Sequence, residues 1–577
     1  MSVGPNEESW DAVIVGAGVG AATAGFALAR AGQKVLFVEK GRVPSQAEAA
    51  LRGRYAEEFF RRSEIPGPQH REILAQAGRY ADEVEDHSFD RPRRYIPFIG
   101  SGPGGSSALY GMAMERFLPR DFAHRERPID APDAEWPDGW PITYEDLRPY
   151  YVAAEQLYGV RGTPDPLRRS ESFGYCAPPP PITEANRELL EFLSRKGLHP
   201  YRLPLACDFA AGCEGCQGYL CKLSCKNDSN RVCLGPAVRK LGAVLIDECE
   251  ALRFEARGDT VKGLVCQRRG KTITFRAPLF VLGAGALHTP VLLLNSASAD
   301  WPQGLANSSG LVGRNLMRHC IDLYAVFPKR SKVPLAGNIK EIAFNDLYEG
   351  KQSLGSVQSF GRLPPASVLV AQILHDVAEQ AGTVAGSLAK LGAPVLRQVL
   401  KRLLGRSLLL ATTLEDLPYL DNRVFPGSRA GSVALKYRLR PYEQRRVAAF
   451  RNCMREILKG YRFMLLKQAE NNDRIAHACG TCRFGTDPRR SVLDADNRAH
   501  GVSNLYVVDS SFFPTSAAIN PSLTIAANAL RVADRILGVG SAKASPLEDE
   551  QATGRFPISH HGTRAAVARS TAGGYTG

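Results

Sequence analysis

The 577-residue chain has no apolar run of about 18 residues, so no membrane-spanning helix is expected. No charged-then-apolar export segment and no twin arginine precede its first apolar strand. The expected compartment is therefore cytoplasmic, with export on a partner subunit's signal left open. An aromatic-interleaved basic stripe is missing too. The 73 Lys and Arg against 59 Asp and Glu give +14, but they are scattered, so a solvated basic surface is expected and nucleic-acid binding is not. There is no internal repeat. With 44% hydrophobic residues the chain is long enough for two closely built domains. In a reducing compartment its 13 cysteines are expected to be thiols or metal ligands rather than disulfides.

What is present begins at Trp10. The segment WDAVIVGAGVGAATAGFALARAGQKVLFVEKG runs as strand, turn, helix, strand and acid. Gly16, Gly18 and Ala21 form a G-x-G-x-x-A loop, and Glu39 follows Gly16 by 23 residues. Gly16 permits the tight turn and Gly18 lets backbone approach a pyrophosphate held at the helix N-terminus. Ala21 lets the helix pack on the sheet, and Glu39 accepts ribose hydroxyls. The spacing predicts dinucleotide binding.

Further blocks recur along the chain: SGPGGSSALYGM from Ser101, GWPITYEDLRPYY from Gly139, FVLGAGALHTPVLLLNS from Phe280 and GLVGRNLMRH from Gly310. A C-terminal block runs from His477 to Ile536, placing a histidine and an Asn-Pro pair on either side of a short apolar strand. Together these resemble, in order, the glucose-methanol-choline (GMC) oxidoreductase family of FAD enzymes. The resemblance implies an α/β chain, α+β overall. A Rossmann-like FAD-binding domain would be assembled from residues 1–42, 90–125, 235–325 and 475–540. A substrate domain of antiparallel sheet and helices would take 140–205 and 326–470. It also implies FAD rather than NAD, because the nucleotide loop is completed by the C-terminal block.

The same resemblance assigns roles. In HACGTCRFG the family supplies a catalytic histidine, here His477, and the residue before the late proline is its partner, here Asn520. Alcohol oxidation needs a base for the hydroxyl proton while the carbinol hydride leaves, and histidine titrates near neutrality. The two lie 43 positions apart, so spacing does not place them together. Gly104, Gly105, Ser106 and Ser107 are expected to pass under the FAD, and Asp509 and Ser510 to touch it. Pro521 starts a helix whose dipole would stabilise a reduced anionic ring. The bland reading of Asp509 and Ser510 is that they end the strand Leu505–Val508. Leu109 stands where some members attach FAD to histidine, and no histidine lies between His87 and His124, so FAD is expected to be noncovalent.

Six cysteines, Cys207, Cys213, Cys216, Cys221, Cys225 and Cys233, fall within 27 residues (207–233). Thiolates so spaced suit zinc or an iron-sulfur cluster. Cys213, Cys216, Cys221 and Cys225 resemble part of the cluster-binding run of the family's bacterial sugar dehydrogenases, although the first spacing departs from theirs. Bare thiols remain the competing reading. Cys479 and Cys482 are read as packing residues. From Pro394, Val395, Leu396, Val399, Leu400, Leu403 and Leu404 share one helical face, while Arg397, Lys401, Arg402 and Arg406 share the other. Such a helix packs on its own domain or lies on an acidic membrane surface. Residues 541–577 read as a disordered tail in which His560 and His561 are incidental.

The expected activity is FAD-dependent oxidation of a primary or secondary alcohol, with a sugar or glycoside hydroxyl leading. The basic surface disfavours a polycationic substrate. The acceptor would be oxygen, a quinone or a cytochrome. Alternatives are a bulky apolar or lipid alcohol oxidised at a membrane surface, and a non-redox lyase of the same family.

Overall fold

The computed structural model describes residues 9–539 except 45–50, 61–66, 127, 169–170, 335–339, 351–352, 474 and 476. The tail and both of its histidines lie outside the described residues. Four-residue apolar runs build the central sheet. Strand β1 (Ala12–Val15) lies between β2 (Val35–Val38) and the strand Leu279–Leu282. Leu505–Val507 and Val244–Ile246 complete five parallel strands. Every side chain of β1 and β2 is buried, as a parallel sheet covered on both faces requires. The covering helix α1 (Val19–Arg30) approaches the sheet closely: a Cβ on Gly20 would stand 2.0 Å from the Val508 carbonyl oxygen.

Helix Tyr144–Leu157 starts at Thr143, whose hydroxyl accepts the Asp146 N–H at 3.1 Å while the Asp146 carboxylate accepts the Thr143 N–H at 2.8 Å. Its buried Tyr144, Leu147, Tyr151 and Ala154 join the core of the parallel sheet. Tyr151 shares a 2.8 Å hydroxyl bond with Thr524 of the C-terminal helix, Ser522–Ile536. The segment expected on the substrate side from residue 140 thus opens with a helix of the cofactor core, because its apolar face is spent there.

A second layer is a six-stranded antiparallel sheet in the order Arg462–Leu466, Cys320–Phe327, Leu408–Leu414, Gly355–Ser359, Ile342–Phe344 and Tyr201–Arg202, with one mixed four-stranded sheet elsewhere built from residues 84–95 and 423–436. Helices Glu184–Arg195 and Pro441–Ile457 close its core through Leu189, Leu193, Val447, Phe450 and Met454. The strand Cys320–Phe327 straddles the expected boundary at 325/326.

Between neighbouring strands Gly355–Ser359 and Leu408–Leu414 the chain inserts a helix from Ala366 to Leu404, with Pro394 in its interior. Leu400 is buried, but Leu391, Val395 and Val399 are 80%, 69% and 45% exposed, a stripe that no described residue covers. No described helix is long and apolar enough to cross a membrane.

Candidate active site

The carboxyl ends of the parallel strands open into a cleft, where doubly wound sheets bind ligands. A cavity of ≈ 330 Å³ there is walled by Gly16, Gly18, Glu39, Gly105, Ser106, Ser107, His477, Asp509, Ser510 and Pro521. Ten of the residues expected from sequence therefore share one cavity. Ala21 sits beneath it, where Gly283 approaches so closely that an added Cβ would stand 2.8 Å from the Ala21 Cβ.

The fit to a dinucleotide rests on space as much as on chemistry. Gly16 turns at φ +97°, and a Cβ there would strike the Gly283 carbonyl at 2.5 Å. Gly18 faces open room: a Cβ on it would meet nothing within 4 Å, which is the vacancy a pyrophosphate needs beside the N-terminus of α1. Opposite it, Gly105 at φ +49° brings the second loop to within 2.9 Å of the Gly18 Cα, measured from its would-be Cβ. That loop is tied down by the Gly104 N–H donating to the Ala17 carbonyl at 3.0 Å. Glu39 ties the second loop to the end of β2, since one of its oxygens accepts both the Gly41 and Gly102 N–H groups at 2.8 and 2.9 Å. Burial pushes its carboxyl up to about 7.

The Asp509 carboxylate at the cavity wall is engaged by protein groups. One oxygen accepts from the Gly285 N–H at 2.9 Å and the Thr289 hydroxyl at 2.5 Å, and the other from the Ser511 N–H at 2.9 Å. It joins the strand end to the helix Gly285–Leu294, and burial raises its carboxyl above the usual range. Ser510 donates to the Ala478 carbonyl at 2.7 Å and so braces the turn carrying His477.

His477 sits at φ +58°, the left-handed region that a branched or bulky residue adopts only under constraint. The constraint is an isolated antiparallel bridge: Met317 and Cys479 exchange N–H and carbonyl at 3.0 Å both ways. Counting two residues out from that pair along both strands puts His319 opposite His477, and their Nδ1 atoms lie 2.8 Å apart. His319 Nε2 lies 3.0 Å from the Ser516 carbonyl, which can only accept. In the neutral ring Nε2 therefore carries the proton and His319 Nδ1 accepts. His477 must then donate from Nδ1, which leaves its Nε2 unprotonated. Both rings are held neutral: burial lowers each, and the Lys340 ammonium lowers His477 further, well below the ordinary imidazole value.

Asn520 is paired with Gln358 through both halves of its amide, Nδ2 donating to Oε1 at 2.9 Å and Oδ1 accepting from Nε2 at 3.2 Å. The next residue, Pro521, caps the helix Ser522–Ile536 at the cavity wall. Lys340 and Glu115 are buried nearby and influence one another electrostatically, Glu115 accepting from the Tyr201 hydroxyl, with burial lowering the ammonium to about 8 and raising the carboxyl to about 7. His319 ends the block GLVGRNLMRH, whose pattern gives it no role, and Gln358, Lys340 and Glu115 lie in no motif.

The cysteine-rich segment folds outside the cavity. Cys213, Cys221 and Cys225 come together, Cys213 Sγ lying 3.4 Å and Cys221 Sγ 3.6 Å from Cys225 Sγ. Cys216 interacts with Cys221 alone of these. Cys207, left out of the expected ligand set, is 3.8 Å from Cys213. Cys233 is elsewhere, 3.7 Å from the Thr23 hydroxyl. Cys479 and Cys482 are buried in the cofactor core.

Comparison with known proteins now decides the family. Residues 185–321 match the N-terminal and 427–529 the C-terminal GMC oxidoreductase model. The paromamine 6'-oxidase of Streptomyces fradiae is 30% identical over 92% of this chain and 92% of its own. The chain belongs to the GMC oxidoreductase family. It is an FAD-dependent oxidoreductase acting on CH–OH groups. The fructose dehydrogenase large subunit of Gluconobacter japonicus is 25% identical over 92% of this chain and 98% of its own. Pyridoxine 4-oxidase from Mesorbium loti has the same fold, with a TM-score of 0.59, 20% identity and coverage of 92% and 100%.

Proposed function

We propose that this GMC oxidoreductase oxidises a hydroxyl of a sugar or glycoside to a carbonyl, with His477 as the base. The observation that carries the reading is the polar surround of the histidine pair. Lys340 is near enough to depress His477, Glu115 faces Lys340, and the Gln358 amide holds Asn520. Such a polar surround favours an alcohol bearing further hydroxyls over an alkyl chain. The relative named as a paromamine oxidase and the one named as a fructose dehydrogenase act on compounds of that kind.

FAD, when bound noncovalently by the Gly16–Ala21 and Gly104–Ser107 loops and Glu39, accepts the carbinol hydride. The chain's own part is proton and position. The unprotonated Nε2 of His477 takes the hydroxyl proton while His319 stabilises the imidazolium through Nδ1. Asn520, oriented by Gln358, holds the substrate oxygen. Pro521 and the following helix N-terminus present their positive dipole end to the cavity. Asp509 and Ser510 fix the cavity floor. Oxygen or a soluble acceptor then takes the electrons, and no iron-sulfur relay is part of this reading. A panel of neutral glycosides, aminoglycosides and straight-chain alcohols, followed anaerobically by flavin bleaching, tests it. Preference for the long-chain alcohols would overturn it, and no bleaching by any alcohol would favour the lyase chemistry.

One observation supports a second reading. The exposed stripe Leu391, Val395 and Val399 beside Lys390, Arg397 and Lys401 suits an acidic lipid surface and hence a lipidic alcohol or a quinone. Co-sedimentation with anionic vesicles, lost in Val395→Glu, is its signature.

A further inference from the structure

Cys207, Cys213 and Cys225 place their sulfurs within 4.8 Å of one another, and no two described cysteines are bonded. Three mutually adjacent thiols cannot all be satisfied by disulfides, whose sulfurs bond at about 2.05 Å. The spacing matches a different object. A metal ion with four thiolates at about 2.3 Å has tetrahedral edges of about 3.8 Å, against the observed 3.8 Å for Cys207 to Cys213 and 3.4 Å for Cys213 to Cys225. Thiolates bound to different irons of a cluster stand farther apart, because the inorganic core lies between them.

From this geometry we infer that the segment binds a single divalent zinc-type ion through Cys207, Cys213 and Cys225, with Cys221, which is 3.6 Å from Cys225 but outside the mutually close set, turning in to supply the fourth thiolate when the ion binds. Cys216, whose thiol interacts with Cys221, stays outside the ligand set. The charge around the nest agrees. Four thiolates on a divalent ion leave two negative charges, and beside them Lys226 is 1% exposed, its ammonium hydrogen-bonding two neutral carbonyls, those of Ala108 at 2.9 Å and Tyr219 at 3.1 Å. Thiolates here would join the buried Asp228 carboxylate in making the burial of this cation tolerable.

The ion's place explains what it does. Asp208 donates its N–H to the Cys225 carbonyl at 2.9 Å, closing the base of a loop whose tip reaches back to the cofactor side. There the Gly218 N–H donates to the Leu109 carbonyl at 2.8 Å, just after Gly104–Ser107. Gln217 stands beside Lys340: a Cβ on Gly111 would meet the Lys340 ammonium nitrogen at 2.5 Å and the Gln217 Oε1 at 2.8 Å. The ion clamps a loop that supports both the flavin-facing turn and the polar wall, and it relays no electrons.

The test is metal content of the untagged holoenzyme, purified without chelator, together with zinc-edge X-ray absorption. The expected result is one zinc per chain, a sulfur-only shell at about 2.3 Å and no acid-labile sulfide. In Cys207→Ser the metal should fall below a tenth of the wild-type content, while Cys216→Ser and Cys176→Ser keep it. Stoichiometric iron with sulfide, a disulfide between any of these cysteines on mass mapping, or absence of stoichiometric metal would each overturn the inference. If Cys207→Ser fails to fold, the wild-type count and absorption spectrum decide alone.

Discussion

His319 Nδ1 lies 2.8 Å from His477 Nδ1, and since His319 Nε2 is bound to the Ser516 carbonyl, the pair has one neutral arrangement in which His477 turns an unprotonated Nε2 outward. His319 is thus a positioning residue. His319→Gln or His319→Ala should lower kcat/KM roughly 10- to 100-fold, the usual cost of losing a partner that orients a functional histidine, with FAD content unchanged. A purely structural role would instead lower flavin content in step with activity.

The pH profile follows from the same pair. Burial and the neighbouring Lys340 ammonium depress His477, so the base remains unprotonated below the ordinary histidine range. The acid limb of kcat/KM should therefore fall below pH 6.5. His319→Ala removes the Nδ1 acceptor that stabilises the imidazolium and should move that limb further downward. An acid limb above pH 6.5 in the wild type would show that another group is titrating.

Glu115 and Lys340 set a stability signature. The folded pKa of Glu115 is raised to about 7, so its contribution is whole below the unfolded value and is lost as pH rises through about 7. Lys340 is depressed to about 8, so its contribution is whole above its unfolded value and is lost as pH falls through about 8. Glu115→Gln removes the first loss, which for this buried carboxyl is on the order of 3 kcal/mol. The Tm of the variant minus that of the wild type should rise between pH 6 and pH 9. A difference independent of pH would show that the folded pKa of Glu115 is not raised above its unfolded value.

The cofactor cradle depends on two backbone approaches. Gly105→Ala would place a methyl 2.9 Å from the Gly18 Cα at a positive φ, and Gly16→Ala one at 2.5 Å from the Gly283 oxygen. Both variants should purify with less than a tenth of the wild-type FAD, read from the flavin-to-protein absorbance ratio. Gly32→Ala, where nothing lies within 4 Å, should keep its flavin at a small stability cost.

Sequence made the first strand-turn-helix and the histidine at 477 legible, because those roles depend on local geometry and on a short motif. It left out the relations that make the histidine work. His319 meets His477 across 158 residues only through the Met317 and Cys479 bridge. Gln358 reaches Asn520 from the strand Gly355–Ser359, in a stretch with no motif. Asp509 was in the expected place, but its carboxylate is occupied by Gly285, Thr289 and Ser511. Cys207 comes beside Cys213 through a pairing with Lys226, a non-local contact that cysteine spacing does not encode.

The central claim is that His477 takes the substrate proton. Anaerobic stopped-flow mixing of holoenzyme with a reactive alcohol tests it most directly, comparing wild type with His477→Ala at equal flavin content. The account predicts flavin bleaching slowed roughly 10²- to 10⁴-fold with FAD still bound; bleaching at the wild-type rate would contradict it.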